Sequence, residues 1–188
     1  EVKIYDSSDN LIGTSKSGED GVWTYDFDSN PSGVNVYYVI ANGKRSDNYT
    51  LNVDNSTPDP TADLKNDTGT DGDWITNDPT IEGNVEAGST VKVSAERVYE
   101  LTDNNDGTYS YTDSSGTSHT INAAEKTLID GKNYFVSTEK YTYTVDSENI
   151  KSDGSYETGE LATILNGKDG QYRVTVNSTD VAGNSSNL

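Results

Sequence analysis

Along the chain, apolar residues recur with a period of two inside short runs, and clusters of Gly, Asn, Asp and Ser separate the runs. A period of two puts alternate side chains on the two faces of a strand, whereas a helix needs apolar residues three and four apart over several turns. No stretch sustains the helical pattern for long; the best helical candidate, NAAEKTLI at 122–129, supplies one or two turns at most. The pattern predicts strands at 2–5, 11–14, 22–27, 34–40 and 49–53. A second set follows at 62–64, 79–83, 90–95, 99–101, 108–112, 134–137, 141–145, 160–164 and 172–178. Short strands at this spacing point to an all-β fold of antiparallel sandwiches rather than to a barrel or an α/β sheet.

A boundary falls where two of the four prolines stand close together, in VDNSTPDPTADL at 53–64. Pro58 and Pro60 bias their neighbours toward extended backbone and remove two ladder donors, so this stretch reads as a stiff linker. The expected organisation is a first sandwich over residues 1–54, a linker over 55–60 and a second sandwich over 61–188. The first block is short for a sandwich of about seven strands, so its opening strands are expected upstream or from elsewhere. The chain opens on charged, strand-like EVKIYD, as a piece of a longer protein would. A local signal repeats across both blocks: DGVW (20–23), DGDW (71–74), DGTY (106–109), DGSY (153–156) and DGQY (169–172). Asp-Gly makes a turn and the aromatic begins the next strand, which is hairpin chemistry before it is a binding stripe.

Composition changes this picture in two ways. The hydrophobic share of 30% and mean hydropathy of -0.79 sit near the disordered range, yet 13 Tyr, 2 Trp and recurrent Val/Ile runs give strands something to bury. The expectation is a folded chain with a thin core. Charge is the second: 13 Lys+Arg against 32 Asp+Glu give a net charge of -19. Such a surface repels nucleic acid and anionic membranes and makes divalent cations the natural counter-charge. The chain has no cysteine, which excludes a disulfide scaffold and thiolate metal sites. No run of about 18 apolar residues is present, so no membrane insertion is expected.

The candidate chemistry follows from the carboxylates. His119 is the sole histidine and sits in a polar Ser/Thr segment, no P-loop, dinucleotide fingerprint or zinc-ligand spacing is present, and the expectation is a protein that is not an enzyme. NDTGTDGDWITND at 66–78 holds Asp67, Asp71, Asp73 and Asp78 with no basic residue, so either a ligand offsets the repulsion or the loop stays solvated. Calcium takes six to eight oxygens from carboxylates, carbonyls and water, which acidic loops can supply from separate segments. The linear calcium loop of EF-hands is absent: DNNDGTYS at 103–110 has its glycine one place early and lacks the closing glutamate. Any site has to be assembled in three dimensions.

Several stretches together resemble the bacterial Ig-like repeats of giant secreted surface adhesins. GQYRVTVNSTDVAGNSSNL at the end is similar to the last strands of such repeats with their TD-x-AGN turn, and NDTGTDGDWITNDPTIEGNVEAGSTVKV is similar to their opening. VKIYDSSDNLIGTS, DGVWTYDF and NYTLNVDNSTPDP resemble the second half of a repeat and its exit linker. The first block departs from the pattern where the AGN turn reads ANGKRSDN, and residues at about 96–165 form an insertion with no counterpart in a minimal repeat, beginning with a hairpin. The resemblance implies tandem Ig-like sandwiches, with neighbouring repeats of the same chain as partners and Ca2+ rigidifying the junctions. Ig topology would then bring Asp54 and Asp59 of the linker toward Asp180, with Glu86 nearby and Asp28 as a further ligand. Asp67, Asp71, Asp73 and Asp78, with Asp169, would gather at the other pole as half of a site shared with a following unit. The implied function is a monomeric extender segment on the bacterial cell surface that projects a distal adhesive region for attachment and biofilm formation. The alternative is a binding module for a carbohydrate or a cell-surface protein. It would use Tyr99, Tyr109, Tyr111, Tyr134, Tyr141, Tyr143 and Trp74, although alternating tyrosines also serve to fill a core poor in Leu and Phe.

Overall fold

A computed structural model describes residues 1–27 and 32–188. Apart from one short helix and two single 3-10 turns, its regular backbone is antiparallel strand. The architecture is therefore all-β, and the chain divides within the proline stretch into two compact units, Glu1–Ser56 and Thr57–Leu188.

In the first unit, β1 (Val2–Asp6), β2 (Leu11–Ser15), β3 (Gly33–Ala41), β4 (Lys44–Arg45) and β5 (Tyr49–Val53) form one sheet. The long strand β3 takes β1 along one edge and β4 and then β5 along the other. Ala41 pairs with Lys44 across a two-residue Asn42-Gly43 loop with φ of 50° and 75°, the left-handed pair that a tight hairpin requires. ANGK, where the adhesin-type turn was expected, is thus a hairpin between β3 and β4. Val2 and Ile4 are buried on one face, opposite Ala41 and Val39. On the other face Tyr38 stacks on Tyr5 at 5.2 Å, under the Arg45 guanidinium at 3.8 Å.

The strand expected at 22–27 does not form. This stretch joins no ladder and crosses the Val2/Ile4 face through its rings. Tyr25 lies where any side chain at Gly13 would stand and donates from its hydroxyl to the Ile12 carbonyl at 3.1 Å, while Phe27 packs on Tyr37 at 4.9 Å. Ring burial over a glycine has taken the place of ladder pairing. Asp28, a possible calcium ligand from sequence, lies outside the described residues.

The second unit contains β6 (Asp63–Leu64), β7 (Ile81–Asn84), β8 (Thr90–Glu100), β9 (Thr102–Asp103), β10 (Thr108–Thr112), β11 (Ser118–Asn122), β12 (Lys126–Ile129), β13 (Lys132–Val145), β14 (Ser155–Glu157), helix α1 (Gly159–Leu165), β15 (Gln171–Thr179) and β16 (Ser185–Asn187). A five-stranded sheet, β12-β13-β8-β15-β16, and a three-stranded one, β14-β7-β6, enclose a core between them. Val91, Val93 and Ala95 of β8, Val145, Val176, Ile81 and Tyr156 fill it. Fully burying a side chain of this kind stabilises by about 1.5–3 kcal/mol. The remaining sheet, β11-β10-β9, is the inserted hairpin region expected from sequence with β9 added.

Three expectations change here. The strands expected at 90–95 and 99–101 are one strand, β8, and those at 134–137 and 141–145 are one strand, β13, whose register shifts between Val136 and Lys140. Arg97, between the two expected strands, is buried with partners, and the strand continues past it. The strand expected at 160–164 is α1: Leu161 and Leu165, four apart, are both buried on one helical face.

Candidate functional site

The turn joining β15 to β16 is built around one carboxylate. Asp180 Oδ1 accepts from the Ala182 and Asn184 backbone N–H groups at 2.9 and 2.8 Å, and Oδ2 accepts from the Asn184 amide at 2.9 Å. The Asp180 N–H donates to the Asn184 carbonyl at 3.0 Å, and Gly183 takes the left-handed φ of 93° that the turn needs. Burial works against the charge on Asp180, but the Asn184 amide and the turn's backbone N–H groups outweigh it and hold the carboxyl below the usual aspartate range.

The same arrangement occurs twice more. In DSSDN at 6–10, Asp6 Oδ1 accepts from Ser8 and Asn10 at 2.9 and 2.8 Å, and Asp9 takes the left-handed position. In DSSGT at 113–117, Asp113 Oδ1 accepts from Ser115 and Thr117 at 2.9 and 3.0 Å, with Gly116 left-handed. The signal, an aspartate four residues before Asn or Thr with Asp or Gly between them, is present in the sequence and was overlooked there. Asp180 thus has a structural duty, like Asp6 and Asp113.

A second carboxylate sets the Asp180 turn apart. Glu86, in the turn between β7 and β8, brings a carboxylate oxygen to within 4.8 Å of one from Asp180. Two like charges this close repel. Ser89 and Ser178, both 0% exposed, present hydroxyl oxygens with no hydrogen-bond partner. Ser89 adjoins Thr90, and Ser178 pairs with Val91, so both stand at the end of the β8–β15 pair where Asp180 leaves the sheet. Carboxylate and hydroxyl oxygens without sulfur or imidazole are a donor set for a hard cation.

From the linker, Asp59 accepts a hydrogen bond from the Ser186 hydroxyl of β16, and the Pro60 side chain is fully buried in the second unit. Residues 57–60 therefore pack onto that unit. Asp54 belongs to the first unit, two residues before its end at Ser56, where its Oδ1 accepts from the Ser56 N–H at 3.4 Å.

The acidic loop handles its charge differently. Asp67 Oδ2 accepts from the backbone N–H groups of Gly72 at 2.7 Å and Trp74 at 3.4 Å, so the loop wraps its own backbone donors around one carboxylate. Asp73 accepts from the Ile75 N–H at 2.9 Å. Asp78 accepts from Thr80 Oγ1 and Asn66 Nδ2, both at 2.6 Å, and these bonds, Thr80 first, lower its pKa. Among the described residues, no trio that includes Asp67, Asp71, Asp73, Asp78 or Asp169 gathers its carboxylate oxygens. Three of the loop's four aspartates are tied to backbone or side-chain donors, and Asp67 Oδ1 is buried without a partner.

The tyrosines singled out in the sequence are half-buried. Tyr141 and Tyr143 pack against the core of the second unit. Tyr111 of the hairpin stacks on Tyr99 at 5.0 Å, Phe135 at 4.8 Å and His119 at 4.9 Å, and this closes the hairpin onto β8 and β13. His119 pairs with Asp113 Oδ2 at 2.7 Å. Of the Asp-Gly-aromatic motifs, the three ending in tyrosine lead into β10, β14 and β15. The two ending in tryptophan do not start strands, and Trp74 is 55% exposed with φ of 59°.

No protein-family model matches the chain, and no curated protein is matched. Among solved structures, it is similar to the native conformation of the E. coli alpha-2-macroglobulin, at 12% identity and a TM-score of 0.24. That alignment covers 100% of this chain and 11% of the macroglobulin chain, and a likeness at this level carries no argument about function.

Proposed function

We propose that this chain is a calcium-stiffened extender segment of a secreted bacterial surface adhesin, structural rather than catalytic. The observation that carries the calcium reading is the end of the β8–β15 pair. There the Glu86 and Asp180 carboxylates approach within 4.8 Å, and at the same strand end the Ser89 and Ser178 hydroxyls have no partner. Repelling carboxylates and orphaned hydroxyls each lower stability in the absence of a ligand, and one divalent cation relieves both. Asp59 stands on the neighbouring strand β16 through Ser186. The sequence resemblance adds Asp54, near the end of the first unit, as a further ligand. Calcium shared in this way would convert a covalent linker into a fixed junction, its binding free energy appearing as order between the units. The adhesin and cell-surface reading rests on the sequence resemblance.

Thermal unfolding with calcium and with EDTA tests the proposal. At a calcium concentration about a hundredfold above the dissociation constant, mass action stabilises the folded state by about 2.7 kcal/mol and the transition moves up accordingly. An unchanged transition in the two buffers would remove calcium from the account.

A further inference from the structure

We propose that the second unit also carries a binding site for a neutral saccharide, in the groove between the end of β8, the turn of the β10–β11 hairpin and the loop that precedes β15. The groove has a volume of ≈ 390 Å³, and its walls include Arg97, Tyr99, Glu100, Asp113, Asp169 and Gln171. That volume lies within the range of about 300–1,000 Å³ usual for small-molecule sites.

Arg97 is the unusual member. It is 6% exposed, donates from Nη2 to the Asp169 carbonyl, stands 3.6 Å from the Glu139 carboxylate and lies between the Tyr99 and Tyr172 rings at 5.9 and 5.4 Å. With those partners its Nε–H is still buried without an acceptor. A buried donor without a partner is costly, more so on a charged group, so it marks a place for a ligand oxygen.

The other walls decide what kind of oxygen. Glu100, Asp113 and Asp169 repel an anion, and a cation meets Arg97. A neutral hydroxyl both accepts and donates, so a pair of adjacent hydroxyls can accept from the guanidinium and donate to a carboxylate at once. Asp113 is already committed to Ser115, Thr117 and His119, and Glu100 to Lys132, so both act as fixed walls, which leaves Asp169 and Gln171 to meet the ligand's remaining hydroxyls. A sugar ring supplies such hydroxyl pairs. This site is separate from the Asp180 turn and does not depend on calcium.

The test is an amide NMR titration of the whole chain, in EDTA, with D-glucose, D-galactose and D-mannose, and with glycerol and acetate as controls. At least one sugar should give saturable shifts at Gly170, Gln171 and Thr112–Ser114 that neither control reproduces. Asp169→Ala combined with Gln171→Ala, both at exposed positions, should weaken binding about tenfold or more while the rest of the spectrum is retained. The proposal is overturned if none of the three sugars saturates shifts at these positions, if acetate or glycerol matches the sugars, or if the double variant binds as well as the parent. Because EDTA is present throughout, a failure of the calcium proposal leaves this result unaffected.

Discussion

At the scale of single residues, the recurring device is an aspartate that closes a turn by accepting two backbone N–H groups. Asp6, Asp113 and Asp180 do the same local work, so replacing each separates structure from metal binding. Asp6→Ala and Asp180→Ala should each lower the melting temperature, because each turn loses the acceptor of its backbone N–H groups. Of the two, Asp180→Ala alone should remove the calcium-dependent part of the melting temperature, as calorimetric scans with and without calcium would reveal. Acid supplies a second residue-scale test. The carboxyls of Asp6, Asp78, Asp106, Asp113, Asp153 and Asp180 are all held below the ordinary aspartate range, chiefly by hydrogen bonds from neighbouring side chains and N–H groups. A carboxyl with a lowered folded pKa contributes its stability above the unfolded value, near 4, and loses it as the pH falls through the folded value. Circular dichroism melts should therefore fall steeply in temperature from pH 4 downward and stay nearly level between pH 5 and 7.

At the scale of elements, packing overrode pattern in identifiable places. The alternation in β1, β2, β3, β5, β10 and β15 was legible because apolar and polar residues take turns there and glycine or asparagine closes the ends. It failed at 22–27, where the rings of Tyr25 and Phe27 bury themselves against Gly13 and Tyr37 instead of pairing their backbone. It failed again at α1, because the pair that reveals the helix, Leu161 and Leu165, spans one helical turn and reads as alternation in a shorter window. The length of β8 could not be read because a buried arginine is indistinguishable from a strand end until its partners are known. Of the candidate site, Glu86 and Asp180 were legible through their turn motifs, and Asp59 through the proline linker. Ser89 and Ser178 were not, since an orphaned hydroxyl is a fact of packing and leaves no mark in sequence. The helix assignment makes its own prediction: Leu161→Ala, at a position 0% exposed, should destabilise the second unit by about 2–5 kcal/mol, seen as a lower denaturant midpoint with an unchanged slope.

For the molecule as a whole, a net charge of -19 is spread over two units, each with a modest core. In the acidic loop at 66–78, Asp67 Oδ2 is met by the loop's own N–H groups, Asp73 by Ile75 and Asp78 by Thr80 and Asn66, while the buried Asp67 Oδ1 has no partner. The end of the second unit nearest the linker is different, with two carboxylates facing each other and two hydroxyls without partners. A calcium titration by isothermal calorimetry, run on the parent chain and on Glu86→Gln, tests this most directly. The account predicts a saturable heat for the parent, which Glu86→Gln weakens about tenfold or more, as expected when a ligating charge is lost. The absence of saturable heat in the parent, or equal affinity in the two proteins, would contradict it.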